Sequence, residues 1–337
     1  MKNMYGDISP RTATKASKKL LSVGQPIMAL QRTAMVDNQE MKSTKSITWR
    51  RYHNFPAVPQ PMAEGVTPPG RRMTYSDYTA TLEWFGDVVE ITDTVQDTHE
   101  DPILRTAVRR CGEQAAETIE VVTFDELKAG TNVYYAGSAT SRATVDAKIT
   151  RGDLRKVTRG FARHRATKIT EIVSPTPKIS TQGVEASFFA YAHTDLDSDI
   201  RDMTGFKQVV EYGNPGQAVP GECGSVEQVR FILSSLYEPW EQSGASSTSW
   251  LSGGVEVSVA AQADVYPVIV VARDSYATVR LQGRKASTVY VLNPNIARGA
   301  DPLGRQGTVG WKIPYACAIL NEMWIARIEV AATADLS

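Results

Sequence analysis

The chain reads as a mixed protein of helices and strands on three features of its text. There is one long run with helical spacing, a set of short strand-like runs through the second half, and a proline-rich extended stretch ahead of the helix. At 337 residues it fits two domains or one elaborated body, taking roughly 150 residues per domain. Hydrophobic residues at 42% and charged residues at 22% sit in the globular range, which argues against wholesale disorder or a fibrous repeat. No window supplies the roughly 18 consecutive apolar residues of a bilayer span, and the Lys- and Thr-rich start lacks a signal peptide's apolar stretch. A cytosol-like compartment with no membrane contact is therefore expected. Cys111, Cys223 and Cys317 are odd in number and never form a CxxC pair, so reduced thiols are expected rather than a disulfide framework or zinc ribbon.

Residues 1 to about 46 are polar, with short apolar patches such as Pro26–Leu30, and read as an arm without a core of its own. From Trp49 onward, prolines at 56, 59, 61, 68 and 69 interrupt a strand-like run. Proline removes ladder donors, so this stretch fits an edge hairpin or projecting loop. Tyr78 to Ile91 alternates as one paired strand would. Asp101 then offers an N-cap, Pro102 a first helical position and Gly130 a stop. Between them Leu104, Val108, Cys111, Ala115, Ile119 and Val122 recur at helical steps, predicting a rod over 101–129 of about 40 Å. Glu113, Glu117, Glu120, Asp125 and Glu126 read as an acidic stripe on its other faces. A second helix is expected from Arg151 to about Arg165, with Leu154, Val157, Phe161 and Ala162 on one face. A short one is expected from about Asp195 to Met203. Strand-like runs lie at Ala186–Ala192, Val229–Leu233, Val265–Ala272, Val289–Leu292 and Trp324–Val330, and Trp240 to Gly254 reads as a Ser/Gly surface loop.

Basic and acidic residues balance at 37 each, but their distribution is uneven. Met1 to Arg72 holds twelve basic and four acidic residues, a net +8 that leaves −8 for the rest. The start of the chain is thus suited to lie along something negative, either the acidic body of another copy or a polyanion.

Catalytic patterns are scarce. No Gly-Lys-Ser/Thr phosphate loop and no strand-to-helix G-x-G-x-x-G occurs, which argues against NTPase and dinucleotide chemistry. His53, His99, His164 and His193 lie more than twenty residues apart, so no metal-ligand spacing exists. His193-Thr194-Asp195 evokes a hydrolase pair, yet there is no G-x-S-x-G elbow, and Asp195 sits where an acid supports a helix start. Trp49-Arg50-Arg51-Tyr52-His53 interleaves cations and aromatics over too short a run to specify nucleic-acid reading. No catalytic residue, cofactor or metal is expected.

Several strings, in order, resemble the major capsid proteins of tailed bacteriophages, in the podovirus-like branch. They are Phe55-Pro56 with Ala63–Pro68, Thr79–Glu83 with Phe85–Asp93, Gly112–Ile119, Ala129–Val133, His193–Asp195 with Asp199–Asp202, Pro220–Glu222, Asp264–Pro267, and Asp301–Gly304 with Gln306–Lys312. The likeness runs from about Arg50 to Glu329. It implies the tailed-phage capsid fold, an α+β plate divided as follows: N-terminal arm, 1–46; extended hairpin loop with its adjoining strand, 47–92; peripheral domain on a spine helix (about 101–129), 93–192; axial domain, about 193–266; return strands, 267–337. It also implies self-assembly through hexamers and pentamers into an icosahedral shell around double-stranded DNA, and so a place in the virion, with the host cytoplasm as the site of assembly. Separate portal and decoration proteins are further implied partners. Many relatives carry a long scaffolding segment ahead of the capsid body. Here the body begins near Arg50, so a separate scaffolding protein or none is expected, with Met1 lost only to ordinary methionine removal. Arg50, Arg51, Arg71 and Arg72 are expected to meet acidic faces of a neighbour, Glu113 and Glu117 among them, with Tyr52 and Phe55 supplying buried area. Arg11, Lys15, Lys18 and Lys19 are the candidates for sequence-blind contact with packaged DNA. The competing readings are an encapsulin-like nanocompartment shell and a soluble hydrolase using His193 and Asp195.

Overall fold

The computed structural model describes residues 28–333, apart from 41, 43, 60, 63, 66, 99–102, 175–179, 213–217, 220, 246–261, 282–287, 298 and 300. In chain order the first half comprises α1 (Leu30–Thr33), β1 (Met35–Gln39), β2 (Ser46–Tyr52), β3 (Tyr75–Thr81), β4 (Glu83–Thr92), α2 (Asp93–Thr98), α3 (Ile103–Lys128), β5 (Val133–Tyr135), α4 (Arg151–Arg163), β6 (Ile169–Ser174) and β7 (Ser180–Ala192). The second half comprises α5 (Asp197–Arg201), β8 (Phe206–Gln208), β9 (Glu222–Val226), β10 (Val229–Leu233), β11 (Tyr266–Val271), β12 (Tyr276–Leu281), β13 (Thr288–Leu292), β14 (Gln306–Ile319) and β15 (Ile325–Val330).

An eight-stranded sheet runs β5-β15-β11-β7-β10-β9-β8, with β6 also on β7. Its central strands are buried on both faces, which is why β11 reads as an unbroken apolar run rather than an alternating one. One face packs on α4 through Leu154, Val157 and Phe161. The other packs on the C-terminal half of α3 through Phe124 and Leu127. Each such fully buried side chain stabilises the fold by about 1.5–3 kcal/mol. Thr150 caps α4 by accepting from the Asp153 N–H. Ala162, expected on the buried face, is exposed, because the buried stripe of α4 is narrow and ends at Phe161.

The five-stranded sheet runs β1-β12-β14-β13, with β4 on the other edge of β14. Val309, Trp311, Ile313 and Tyr315 of β14 pack on Cys111, Ala115 and Ile119 of α3. One 26-residue helix, about 39 Å long, therefore serves both sheets. The expected capping pair Asp101 and Pro102 lies outside the described residues, as do His99 and most of the Ser/Gly loop.

Two expectations need correction. The single strand expected over Tyr78–Ile91 is two strands serving different sheets: β3 pairs with β2 and β4 with β14. Between them Leu82 is buried and its N–H donates to the Lys45 carbonyl, so the chain changes sheets at one anchored residue. Glu120, assigned to the acidic stripe, is 1% exposed and lies in the core. The described end of the arm has no core of its own but is threaded through that of the body, with Ala29 and Leu30 fully buried. The described part of 193–266 adds β8, β9 and β10 to the edge of the eight-stranded sheet.

Candidate assembly interface

The feature least explained by packing within the chain is the β2–β3 hairpin. Seven residue pairs, Ser46↔Thr81 to Tyr52↔Tyr75, form an antiparallel ladder about 20 Å long. His53 extends it by donating its N–H to the Thr74 carbonyl at 2.9 Å. Its root is packed: Ala80 and Leu82 meet Val279, Ala316 and Ala318, with Ile47 and Trp49 against them. The Trp49 indole also donates to Asp37 at 3.0 Å. Beyond the root, every described residue from Arg50 to Tyr75 is exposed. The prolines explain this extended course, since they stiffen the backbone and remove the donors a continued ladder needs.

Large apolar side chains lie exposed along this projection: Tyr52, Phe55, Val58, Met62, Met73 and Tyr75. Such a density of apolar surface on one solvent-facing element marks an interaction surface. Tyr52 and Phe55 stand out in the sequence by their setting among cations and prolines. Val58, Met62, Met73 and Tyr75 do not, because nothing in their spacing distinguishes an exposed apolar side chain from a buried one. A second apolar surface lies on the outer face of β4-β14-β13, where exposed Val88 and Tyr290 border a shallow groove floored by Gly86 and Gly310, with exposed Trp84 farther along β4. Lys312 crosses it 5.1 Å from the Tyr290 ring centre.

The expected contact residues divide as follows. Arg50 forms a two-pronged pair with Asp77 on the facing strand, at 2.9 and 3.0 Å. This pairing holds the Asp77 carboxyl below the ordinary range and raises the Arg50 guanidinium. Arg51 lies 5.8 Å from the Trp324 ring centre. Arg71 donates to the Pro56 carbonyl at 2.7 Å, tying the two sides of the loop, and Arg72 is exposed. On α3, Glu113 accepts from Arg109 and Arg110 at 3.0 and 2.9 Å, while Glu117 is half-buried. Among the described residues no ion pair joins the four hairpin arginines to Glu113 or Glu117 within one copy. Arg11, Lys15, Lys18 and Lys19 lie outside the described residues.

The His193 pair is structural. Its Nδ1 accepts the Asp195 N–H at 3.2 Å, capping a turn of 3-10 helix, and Tyr266 donates to the Asp195 carboxylate at 2.8 Å. The three cysteines are free, and burial pushes each thiol up, Cys223 to about 12. No helix among the described residues is long and apolar enough to cross a membrane.

The structure superposes on the capsid of Ralstonia phage GP4 with a TM-score of 0.64, at 10% identity over 98% of this chain and 100% of that one. Against the capsid asymmetric unit of cyanophage Pam1 the TM-score is 0.65, at 13% identity over 97% of this chain and 98% of that one. In sequence, the chain is 25% identical over 228 residues to the major capsid protein of Pseudomonas phage KPP21. That match takes in 64% of this chain and 57% of the relative. A family model described as phage capsid protein matches residues 77–328. The chain belongs to the phage capsid protein family.

Proposed function

We propose that this protein is the major capsid protein of a tailed double-stranded DNA phage, closing with copies of itself into rings of five and six that build the head around the genome. The observation that carries this reading is the projecting hairpin: an ordered ladder, fixed at its root, presents six large apolar side chains that its own chain leaves exposed. On this reading residues 47–92 are the extended loop, 93–192 with 267–337 the peripheral domain, and 193–266 the axial domain. Head-to-tail contact lets one surface serve rings of different order, and many modest contacts combine into a durable shell. Tyr52 and Phe55 contribute area, while Arg50, Arg51, Arg71 and Arg72 steer approach to an acidic neighbouring face that includes Glu113 and Glu117. Exposed ion pairs add only about 0–1 kcal/mol each, so apolar burial dominates. The basic arm with Arg11, Lys15, Lys18 and Lys19 meets packaged DNA through phosphates. Portal, decoration and scaffolding proteins are its further candidate partners. The role needs no catalytic residue, cofactor or metal.

Negative-stain microscopy of the purified chain under assembly conditions, followed by assay for enclosed DNA in particles from infected cells, tests the proposal. Large uniform DNA-filled heads are expected. Small shells around an enzyme and without a genome would indicate a nanocompartment instead. A persistently small species that turns over a substrate would refute shell formation altogether.

A further inference from the structure

Glu120 is the one acidic side chain of α3 sealed inside the protein. Its Oε1 accepts three hydrogen bonds: from the N–H of Ala29 at 3.0 Å, the N–H of Leu30 at 2.9 Å and the hydroxyl of Tyr237 at 2.8 Å. Ala29 and Leu30 open α1, so this carboxylate seats the point where the N-terminal segment enters the body. Among the described residues its Oε2 is buried with no hydrogen-bond partner, and so is Nε of Arg32 on that short helix. We propose that Glu120 is a pH-sensitive latch on the segment 28–39, holding it most firmly when Oε2 carries a proton and loosening it as the carboxylate ionises.

Desolvation sets the direction of the effect. Seating the segment removes water from a carboxylate that recovers partners on only one of its two oxygens, and an unsatisfied buried charge is costly. Burial pushes the Glu120 carboxyl up, against the opposing pull of the Leu30 N–H, the Tyr237 hydroxyl, the Ala29 N–H and Arg32. Unseating the segment readmits water and returns the group toward the ordinary value of about 4.3. The seated state therefore binds the proton more tightly. Seating is strongest at and below the ordinary carboxylate range, weakens as pH rises through the seated value, and then levels off.

Among the described residues, the other titratable groups that interact with Glu120 are Arg32 and four tyrosines. Arg32 of α1 is lowered by burial, but a guanidinium stays charged throughout. Tyr237, Tyr191 of β7, Tyr276 of β12 and Tyr315 of β14 are all raised by burial and stay neutral, as does the Cys317 thiol. Apart from Asp37, which accepts from the Trp49 indole at 3.0 Å, the remaining anchors carry no carboxylate. The Thr33 hydroxyl lies 2.6 and 2.7 Å from the Tyr191 and Tyr276 hydroxyls, Gln31 donates to Thr123 at 3.0 Å, and β1 pairs in parallel with β12. The latch thus adjusts a docked segment rather than holding it alone.

Amide hydrogen exchange of Met35–Gln39 in the full-length chain, corrected for intrinsic exchange, tests this between pH 5.5 and 8.5. Wild-type protection is expected to fall about tenfold per pH unit from pH 5.5 up to the seated value and then to level off. E120Q keeps the Oε1 acceptor but cannot ionise, so its protection should be flat with pH. R32Q removes the nearby cation and should move the fall to higher pH. Flat wild-type protection, or an E120Q profile that matches wild type, would overturn the latch. Should E120Q fail to fold, R32Q decides, and an unmoved midpoint there overturns it too.

Discussion

Replacing Phe55, Met62 and Met73 together with alanine should cripple assembly while leaving the subunit's own stability intact. These side chains are 52%, 73% and 59% exposed, so between half and three-quarters of each remains for a neighbour to cover. Full burial of one such side chain contributes about 1.5–3 kcal/mol, so covering these three exposed fractions gives about 3–5 kcal/mol per hairpin contact. At 1.4 kcal/mol per decade, losing that contact weakens pairwise association by roughly 10²- to 4 × 10³-fold. Each copy donates one hairpin, so the loss recurs throughout a shell and should raise the critical concentration for assembly by a comparable factor. Within the free subunit the same side chains touch little, and exposed positions of that kind usually change stability by less than about 0.5 kcal/mol. Light scattering across a concentration series reads the first quantity and scanning calorimetry the second. A critical concentration within twofold of wild type would refute the assignment of the hairpin as an interface. A large drop in Tm would show that these side chains hold the subunit together instead.

L127A removes a fully buried side chain at the crossing of α3 and the eight-stranded sheet and should cost about 2–5 kcal/mol in denaturant unfolding. E329A should cost about 3–5 kcal/mol in the same assay, because the buried carboxylate accepts from Arg142 and Arg327 and its loss strands both cations. With the Cys223 thiol pushed up to about 12 and Cys111 and Cys317 also raised, all three should resist alkylation at pH 8 in the folded chain and react rapidly once it is unfolded. Asp77 is held below the ordinary carboxylate range by Arg50. Its contribution to the hairpin is therefore present above that range and is lost as pH falls through the depressed value, which should appear as faster exchange of the β2–β3 amides in acid.

What could be read from the sequence follows from how each element is buried. The steps of 4 and 3 between Leu104 and Val122 predict α3 because one stripe of the helix faces one sheet there. The same logic misplaces Glu120. Past Ile119 the helix passes between the two sheets, its buried face widens, and Phe124 and Leu127 lie four and seven positions beyond Glu120 on that second face. Those two apolar residues are the signal in the sequence that Glu120 points inward. The longest strand, β14, is absent from the sequence-based strand runs because it satisfies two pairing schemes at once. Its first ten residues pair with β4 and Ala316 to Ile319 pair with β12. Gly307, Gly310 and Pro314 lie within it, residue types that ordinarily argue against a strand. Gly307 is needed because a Cβ there would come within 2.5 Å of the Pro294 ring and 2.8 Å of the Pro294 nitrogen.

The position of β14 bears on how a hairpin built for reach can carry load. β3 and β4 are separated only by Leu82, whose side chain is buried against Ala316 and Ala318 of the second half of β14, while β4 is zipped to the first half from Glu83 to Thr92. A pull on the hairpin tip therefore arrives in the plane of the five-stranded sheet, along a ladder that must shear many hydrogen bonds together. The opposite face of that ladder is bolted to α3: Trp311 donates to Gln114 at 3.1 Å and Gln114 to Asp87 at 2.7 Å, linking β14, helix and β4 in one chain of contacts. Because α3 continues into the eight-stranded sheet through Phe124 and Leu127, strain entering at Phe55 is shared by both sheets rather than concentrated at a hinge. Reach without such a root would give a flexible tether. With it, the projection is suited to act as a lever in the contact between copies proposed above.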